Sequence, residues 1–186
     1  MADQKRKYEL RKRADAMAGT RLRITEAAVE LHGSVGPART TVSAVAERAG
    51  VQRHTVYRHF PTEIDLFEAC SAHWGAAHPP PDPAGWKDLA NGLDELYCWY
   101  EETEAMLSNI LRDANLVDAV PQVMQPLVEF WDRARRSLSA GLPRRKTVTA
   151  AVAHAVDFRT WQSLVRDGGL KRGQAVGLVT AMVESA

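Results

Sequence analysis

The sequence has little of what marks secreted, membrane-bound or metal-binding proteins. It contains only two cysteines in 186 residues, Cys70 and Cys98, without the C-x-x-C spacing or the histidine neighbours of a metal site. Both fall within apolar helical patterns, so we expect buried, reduced thiols. No apolar run reaches the length of a membrane span or of a signal-peptide core. These absences predict a cytoplasmic protein with no membrane partner.

Catalytic motifs are also missing. The sequence contains no GxSxG, HExxH or GxGxxG motif and no P-loop. Acidic pairs such as Asp94 and Glu95 occupy adjacent helical positions, and adjacent side chains on a helix do not converge. His73 and His78 are five residues apart, which does not place them on one helix face. We therefore expect a protein that is not an enzyme and that uses neither a metal nor a cofactor.

Segments with β alternation are absent as well, and so are internal repeats. Apolar residues instead recur three and four positions apart along most of the chain, which predicts an all-α fold. The one evident linker is the segment HPPPDP at residues 78–83, which cannot be helical. We predict a first domain over residues 20–77, a stiff, extended linker over 78–85 and a second helical domain over 86–186.

Charge is distributed unevenly, although the net charge is only +1. Residues 1–60 hold twelve Lys/Arg and six Asp/Glu, a balance of +6, whereas residues 61–186 hold twelve and seventeen, a balance of −5. A basic first third followed by an acidic remainder indicates that only the first third meets a polyanion.

Residues 1–19 form a basic N-terminal arm that contains the triplets KRK and RKR. Few apolar residues there are available for burial, so the sequence predicts a frayed or disordered segment, followed by a helix that Thr20 caps. Two interpretations of the arm stay open. It follows phosphates or enters a minor groove, as the arms of some helix-turn-helix proteins do, or it is a solvated tail.

The stretch from Thr40 to Phe67 predicts two short helices joined by a tight turn. Gly50 lies at the turn, where it can adopt the left-handed conformation without a Cβ clash. Each helix has an apolar face that is predicted to pack against the other helix. These faces comprise Val42, Val45, Ala46 and Ala49 in the first helix and Val56 and Phe60 in the second. This spacing is typical of a helix-turn-helix.

The outward positions of this unit are polar and rich in hydrogen-bond donors. The predicted DNA contacts are Thr41, Gln52, Arg53, His54, Thr55, Tyr57, Arg58 and His59. Such side chains suit base edges and phosphates, and the second helix of a helix-turn-helix enters the major groove. We assign base reading to Arg53, and phosphate contacts to Thr55 and Tyr57.

The same residues resemble the DNA-binding domain of the TetR-type (tetracycline-repressor-like) transcriptional regulators. The shared marks are Thr41, Ala46, Ala49-Gly50-Val51, Thr55-Val56-Tyr57, His59-Phe60 and Leu66-Phe67. The resemblance spans roughly Arg21 to Trp74. Two positions depart from the family pattern: Gln52 replaces the usual serine cap, and Glu63 replaces a lysine that contacts phosphate. We therefore do not transfer that lysine's role to Glu63.

This resemblance implies an N-terminal three-helix DNA-binding domain and a C-terminal helical domain that binds an effector and dimerises. It also implies a homodimer formed by the last two helices, in which Val156, Val179, Met182 and Val183 supply apolar area. These helices are rich in small residues: Ala150, Ala151, Ala153, Ala155, Ala175 and Gly177. Such helices could equally pack within one chain. A two-fold dimer would bind double-stranded DNA at an inverted-repeat operator, because operator symmetry mirrors protein symmetry.

The second part is predicted to be helical throughout, with segments at 89–100, 106–111, 148–165 and 175–183. A further helix has Pro121 in its first turn and an inward face of Met124, Leu127, Val128, Trp131, Ala134 and Leu138. Its large apolar side chains either fill the core or line an effector pocket. The candidate lining residues are Trp99, Met106, Met124, Trp131 and Trp161. A mixed aromatic and aliphatic lining suits a small, mostly apolar effector.

Two functions follow from these observations. The first is a transcriptional regulator, a repressor that an effector releases from its operator. The alternative is an architectural or constitutive DNA-binding protein whose C-terminal domain only dimerises. A ligand that releases the protein from DNA would distinguish the two.

Overall fold

The computed structural model describes residues 2–186, apart from the side chains of residues 2, 3 and 5. Every regular element in that range is helical, which confirms the all-α prediction. The chain divides into two compact units, each described by itself. Unit 1 comprises Met1–Ala77 and Ala105–Val123, and unit 2 comprises His78–Glu104 and Met124–Ala186.

Ten α-helices are present in the described part of the chain. They are α1 (Ala2–Ser34), α2 (Val42–Ala49), α3 (Arg53–His59), α4 (Glu63–Ala77), α5 (Leu89–Asp113), α6 (Ala119–Val123), α7 (Gln125–Leu138), α8 (Lys146–Val156), α9 (Phe158–Gln162) and α10 (Arg172–Glu184). Short 3₁₀ turns occur at Pro37–Arg39 and Pro83–Gly85, and a π-helical turn follows α9 at Ser163–Asp167.

The core of unit 1 lies where the second half of α1 packs against α2 and α4, and where α2 packs against α3. Its buried residues are Ile24, Ala27, Ala28, Val45, Ala46, Ala49, Val56, Phe60, Leu66 and Cys70. They include the apolar set predicted for the helix-turn-helix, except that Val42 is only partly buried. Small residues at positions 27, 28, 46 and 49 allow α1 and α2 to approach closely. Helix α3 packs against α2 and is therefore fixed in position by this core.

The basic N-terminal segment differs from the prediction, because α1 is one continuous helix from Ala2. Thr20 does not cap it; its hydroxyl donates to the carbonyl of Ala16 at 3.0 Å, inside the helix. The described side chains from position 4 to position 18 are exposed. The prediction of a frayed segment was wrong because alanine and long charged residues favour helix, and the packed second half of α1 supplies the nucleus.

The predicted domain boundary also needs correction, because Ala105–Val123 belongs to unit 1. The side-chain amide of Asn109 donates to the carbonyls of His32 and Gly33, at 3.0 and 2.8 Å. Arg112 donates to the carbonyl of Val35, and the Asp113 carboxylate accepts the N–H of Ala38 at 3.0 Å. The last carbonyls of a helix lack partners within it, and here the end of α5 supplies donors to the end of α1.

The proline-rich segment that we predicted as a stiff linker is packed within unit 2. The indole N–H of Trp99 donates to the carbonyl of His78 at 3.2 Å. The hydroxyl of Ser137 donates to the carbonyl of Pro83 at 2.7 Å, and Pro83 is buried. Helix was excluded from residues 78–83; residues 78–82 are not helical, but Pro83 begins the 3₁₀ turn Pro83–Gly85, because proline is tolerated at the first helical position.

Three other helix predictions for the second part were wrong. The segments 89–100 and 106–111 belong to one helix, α5. The helix predicted from Pro121 divides into α6 and α7 at Met124, because Pro126 is tolerated only in the first turn of α7. The long helix 148–165 is interrupted at Asp157, whose carboxylate accepts the N–H of Arg159 at 2.7 Å and starts α9.

Buried positions in unit 2 were also mispredicted in two places. Phe130 is fully buried in α7, while Trp131 is half-buried and Val128 is exposed. Cys98 is half-buried rather than buried, because Tyr97 and Trp99 occupy the inward positions on either side of it. Its thiol donates to the carboxylate of Glu102 at 3.7 Å.

Helices α8 and α10 pack against each other within the chain. The buried residues that they contribute are Val148, Val152, Ala155, Val156, Ala175, Val176, Val179 and Val183. Of the six small residues only Ala155 and Ala175 are buried, whereas Val156, Val179 and Val183, which were predicted to supply apolar area to a dimer, are buried within the chain. Within residues 2–186, no helix is both long enough and apolar enough to cross a membrane.

Candidate DNA-binding surface and effector site

The turn between α2 and α3 is held by local backbone geometry. The hydroxyl of Thr41 accepts the N–H of Ala44 at 3.1 Å and caps α2. Gly50 has a φ of 65°, which is the left-handed conformation expected of a helix C-terminal cap. The N–H of Val51 then returns to the carbonyl of Ala46 at 2.9 Å. These contacts fix the point at which α3 begins.

Helix α3 presents two distinct faces. Val56 and the following Phe60 are buried, at 1% and 2% exposure. On the outer face Gln52, Arg53, His54, Tyr57 and Arg58 are exposed, while Thr55 and His59 are half-buried. The predicted DNA-contacting residues of α3 therefore occupy all of the helix surface except the buried stripe of Val56 and Phe60, and Thr41 is exposed at the start of α2. Their role in DNA binding stays a prediction.

The two departures from the family pattern have different structural consequences. Gln52 caps α3 without any side-chain hydrogen bond, so its amide is free to point outward. At the start of α4, Thr62 and Asp65 bind each other reciprocally: the Asp65 carboxylate accepts the Thr62 N–H at 2.9 Å, and the Thr62 hydroxyl accepts the Asp65 N–H at 3.2 Å. Asp65 and the exposed Glu63 both suit a helix N-terminus.

Arg21 contacts the end of α3, and it was not among the predicted site residues. Its guanidinium donates to the carbonyl of His59 and lies 4.0 Å from the ring centre of Phe60. Desolvation, and then the positive charges of Arg58 and Arg21, lower the pKa of His59. A neutral imidazole at this position offers one donor and one acceptor. The contact joins positions 38 residues apart, so no local pattern indicates it.

The five residues predicted to line an effector site are not all brought together. Trp99, Met124, Trp131 and Trp161 lie in unit 2, whereas Met106 lies in unit 1. There, the Met106 methyl is 3.7 Å from the point where a Cβ on Gly33 would stand. Met106 is thus a core residue of unit 1, and only the other four remain candidates within unit 2.

Tyr100 is the centre of an aromatic cluster in unit 2, and the sequence analysis did not assign it to the site. Its ring is 5.6 Å from that of Trp99 and 5.9 Å from that of Trp161. Its hydroxyl donates to the carbonyl of Val156 at 2.6 Å and accepts the indole N–H of Trp131 at 2.9 Å. Burial raises the pKa of Tyr100 well above its ordinary value, so the phenol stays neutral.

Trp161 is completely buried, and its indole N–H has no hydrogen-bond partner among the described residues. An unpaired buried donor is unfavourable, and such groups in native proteins call for an explanation. The guanidinium of Arg166 lies 5.0 Å from the Trp161 ring centre and pairs with Glu104. The cluster is therefore a packed aromatic core that retains one unused donor.

An exposed, donor-rich helix behind a tight turn, in the basic part of the chain, defines a helix-turn-helix protein of the DNA-binding type. Residues 24–70 match the family described as "Bacterial regulatory proteins, tetR family". Residues 24–70 therefore carry the sequence of this family, and the two relatives described next are named as transcriptional regulators.

Two curated relatives from Pseudomonas putida support this assignment. The chain is 31% identical over 142 residues to "Probable HTH-type transcriptional regulator ArpR". It is 30% identical over 142 residues to "HTH-type transcriptional regulator TtgR". Each match covers 74% of this chain and 66% of the relative, so just under two thirds of each relative's length is spanned.

A solved structure supports the fold. The crystal structure of the multidrug binding protein EbrR complexed with imidazole matches with a TM-score of 0.57 and 22% identity. The match covers 87% of this chain and 93% of that one. At this level of identity the similarity concerns the fold alone.

Proposed function

We propose that the protein is a transcriptional repressor that binds a specific operator through α3. A small, mostly apolar effector releases the protein from that operator. The observation that supports DNA binding most directly is the outer face of α3, where polar side chains stand opposite buried Val56 and Phe60. The proposed cytoplasmic location agrees with this role.

Arg53 is the proposed base-reading residue. It is the first residue of α3 and is exposed, and the N-terminal residues of such helices contact base edges. Arginine donates two hydrogen bonds to guanine in the major groove, which specifies that base pair. Thr55, Tyr57 and Thr41 are proposed to bind phosphates and to fix the register of the helix on the duplex.

The proposed homodimer uses the face of α8 and α10 that the intrachain contact leaves exposed. Ala150, Gly177 and Ala181 are exposed there, and Leu178 is 52% exposed. Small residues allow a second helix to approach closely, and Leu178 supplies apolar area. A two-fold dimer of this kind would bind an inverted-repeat operator.

The proposed effector site is the region of Trp99, Met124, Trp131 and Trp161 in unit 2. The unused indole N–H of Trp161 supports it, because a ligand acceptor would satisfy that donor. The proposed route to DNA is a shift of α4, which begins at Glu63, four residues after α3 ends at His59.

Substitution of Arg53 by alanine tests the DNA-binding proposal. We expect a loss of about 1–3 kcal/mol on the cognate operator and a relaxed preference at one base pair. Arg48→Ala is the matched control, because Arg48 is exposed on α2 and pairs with Glu30. Fluorescence anisotropy with operator and scrambled duplexes measures both effects. Unchanged affinity and preference in the Arg53 variant would refute the assignment.

Reciprocal coupling tests release by an effector. A ligand that lowers operator affinity must itself bind more weakly when the operator is present, by the same factor, which is typically about 5–150-fold. Tryptophan fluorescence with and without operator measures the dissociation constant of the effector. A unit 2 ligand whose affinity does not change would favour the constitutive DNA-binding protein instead.

A further inference from the structure

Unit 1 contains a cavity that the proposed function does not use. It has a volume of about 110 Å³ and lies among the end of α1, the start of α2, the end of α3 and the start of α4. A cavity of about 150 Å³ accommodates benzene, and a water molecule occupies about 30 Å³ of liquid. The cavity in unit 1 lies between these two volumes and is partly open to solvent, so a compact ring would fill it and press outward on the side chains at its opening.

The wall of this cavity is mainly apolar, with His32 as its one buried ionisable side chain. Val45, Val56, Leu66 and Phe67 provide buried apolar surface. His32 is 5% exposed, and its ring stacks on that of Phe67 with 4.7 Å between ring centres. Neither ring nitrogen forms a hydrogen bond with another described residue. The imidazole thus has a donor and an acceptor available at the cavity.

The other polar groups that line the cavity are already engaged or stand at its exposed side. The hydroxyl of Thr40 donates to the carbonyl of Gly36 at 2.9 Å. The hydroxyl of Thr41 caps α2, and that of Thr62 bonds Asp65. Glu63 is the one carboxylate in the lining, and its side chain is exposed. His32 is therefore the group that would select a ligand inside the cavity.

His32 is also uncharged in the folded protein. Burial lowers its pKa to about 4, because a charged imidazole would lose its hydration there. A neutral imidazole can donate to or accept from a hydroxyl, whereas a charged ligand would lose hydration without a buried counter-charge. The chemistry of the wall favours an uncharged molecule with one polar group.

From this arrangement we propose that the cavity binds a small, uncharged aromatic compound that carries one hydroxyl or ring N–H, and that His32 is its hydrogen-bonding partner. This site is distinct from the proposed effector region, because every lining residue lies between His32 and Phe67 of unit 1. Thr41 and Tyr57, both proposed DNA contacts, also line the cavity. A bound compound would displace these side chains and weaken DNA binding, a consequence that rests on the proposed function.

Phenol and benzene are the probes that test the site, and amide resonances of the isotope-labelled full-length protein report where they bind. We expect phenol to shift the resonances of Val45, Val56 and Phe67. In the His32→Phe variant, phenol affinity should fall up to about tenfold while benzene affinity is retained. His73→Phe, at an exposed histidine of α4, is the matched control and should change neither affinity.

A second variant, at another position of the cavity wall, tests the site independently of whether His32→Phe folds. Val45→Leu adds one methylene to the apolar wall and should weaken both probes together. Phenol shifts confined to unit 2, or equal phenol affinity in the wild-type protein and the His32 variant, would overturn the site. Phenol should also weaken operator binding by the wild-type protein more than by the His32 variant. An equal effect on both would overturn the coupling to DNA, whereas a protein that binds no operator would contradict only the proposed function.

Discussion

His32 shows how packing sets the state of a single residue. The residue ends the buried stripe of α1, and its backbone carbonyl accepts the side-chain amide of Asn109. Its imidazole is buried against Phe67, and desolvation lowers its pKa from 6.5 to about 4. In the unfolded chain the same ring would titrate near its ordinary value.

This difference predicts a pH dependence of stability. Between pH 6.5 and pH 4 the unfolded chain binds a proton at His32 and the folded protein does not, so stability falls as the pH is lowered. Below about pH 4 both states are protonated and the contribution is constant. The loss amounts to about 3 kcal/mol over this window. Urea unfolding of the wild-type protein and His32→Phe at pH 7 and pH 4 measures it.

The comparison with His32→Phe controls for the other titrating groups, because the variant keeps all of them. We expect its stability to fall less than that of the wild-type protein as the pH is lowered. An equal fall in the two proteins would show that His32 is protonated in the folded state.

At the scale of one element, α1 combines two different halves. Its second half packs against α2 and α4, while its described side chains before position 19 are exposed. Two basic triplets lie in that exposed half. The structure therefore has a charged helix where the sequence predicted a frayed or disordered arm. Because the segment is helical, its charged side chains have a fixed spacing when they contact another surface.

Removal of residues 1–13 tests whether this helix contacts DNA, because it deletes six Lys/Arg. Each phosphate contact that is lost should reduce the log–log slope of affinity against salt by about 0.9. Operator anisotropy from low to moderate salt measures the slope. Replacement of the six residues by glutamine in the full-length chain keeps the helix and removes only the charge. A slope that neither change affects would identify the segment as a solvated tail.

At the scale of the whole molecule, the proposed dimer determines what kind of operator the protein can bind. Helices α8 and α10 pack against each other and bury most of their apolar side chains within one chain. What remains exposed includes Leu178 and small residues beside it. Two copies joined through this face would present two α3 helices related by a two-fold axis.

Leu178→Glu tests this interface. A carboxylate at the centre of an apolar contact should shift the protein from dimer to monomer at micromolar concentration, because the charge would lose its hydration. Leu116→Glu is the matched control, since Leu116 is 70% exposed in unit 1. Sedimentation velocity gives the association state, and circular dichroism checks the fold. A wild-type monomer that binds its operator specifically would refute the dimer.

The local features of the DNA-binding surface could be predicted from the sequence alone. The left-handed Gly50 agrees with the prediction, and the Thr41 cap of α2 and the reciprocal bonds of Thr62 and Asp65 are equally local features of the structure. Each of these features depends on residues at most four positions apart. Their hydrogen bonds form wherever the backbone makes that turn, so the amino-acid types determine them.

Only the tertiary structure decided the features that join distant parts of the chain. Asn109 supplies donors to the end of α1 from 77 positions away, which places Ala105–Val123 in unit 1. Phe130 rather than Trp131 faces the core of unit 2, because the position of the neighbouring helices, not the size of the side chain, selects the inward face. Helical periodicity identifies an apolar stripe, but long-range packing determines which surface covers it.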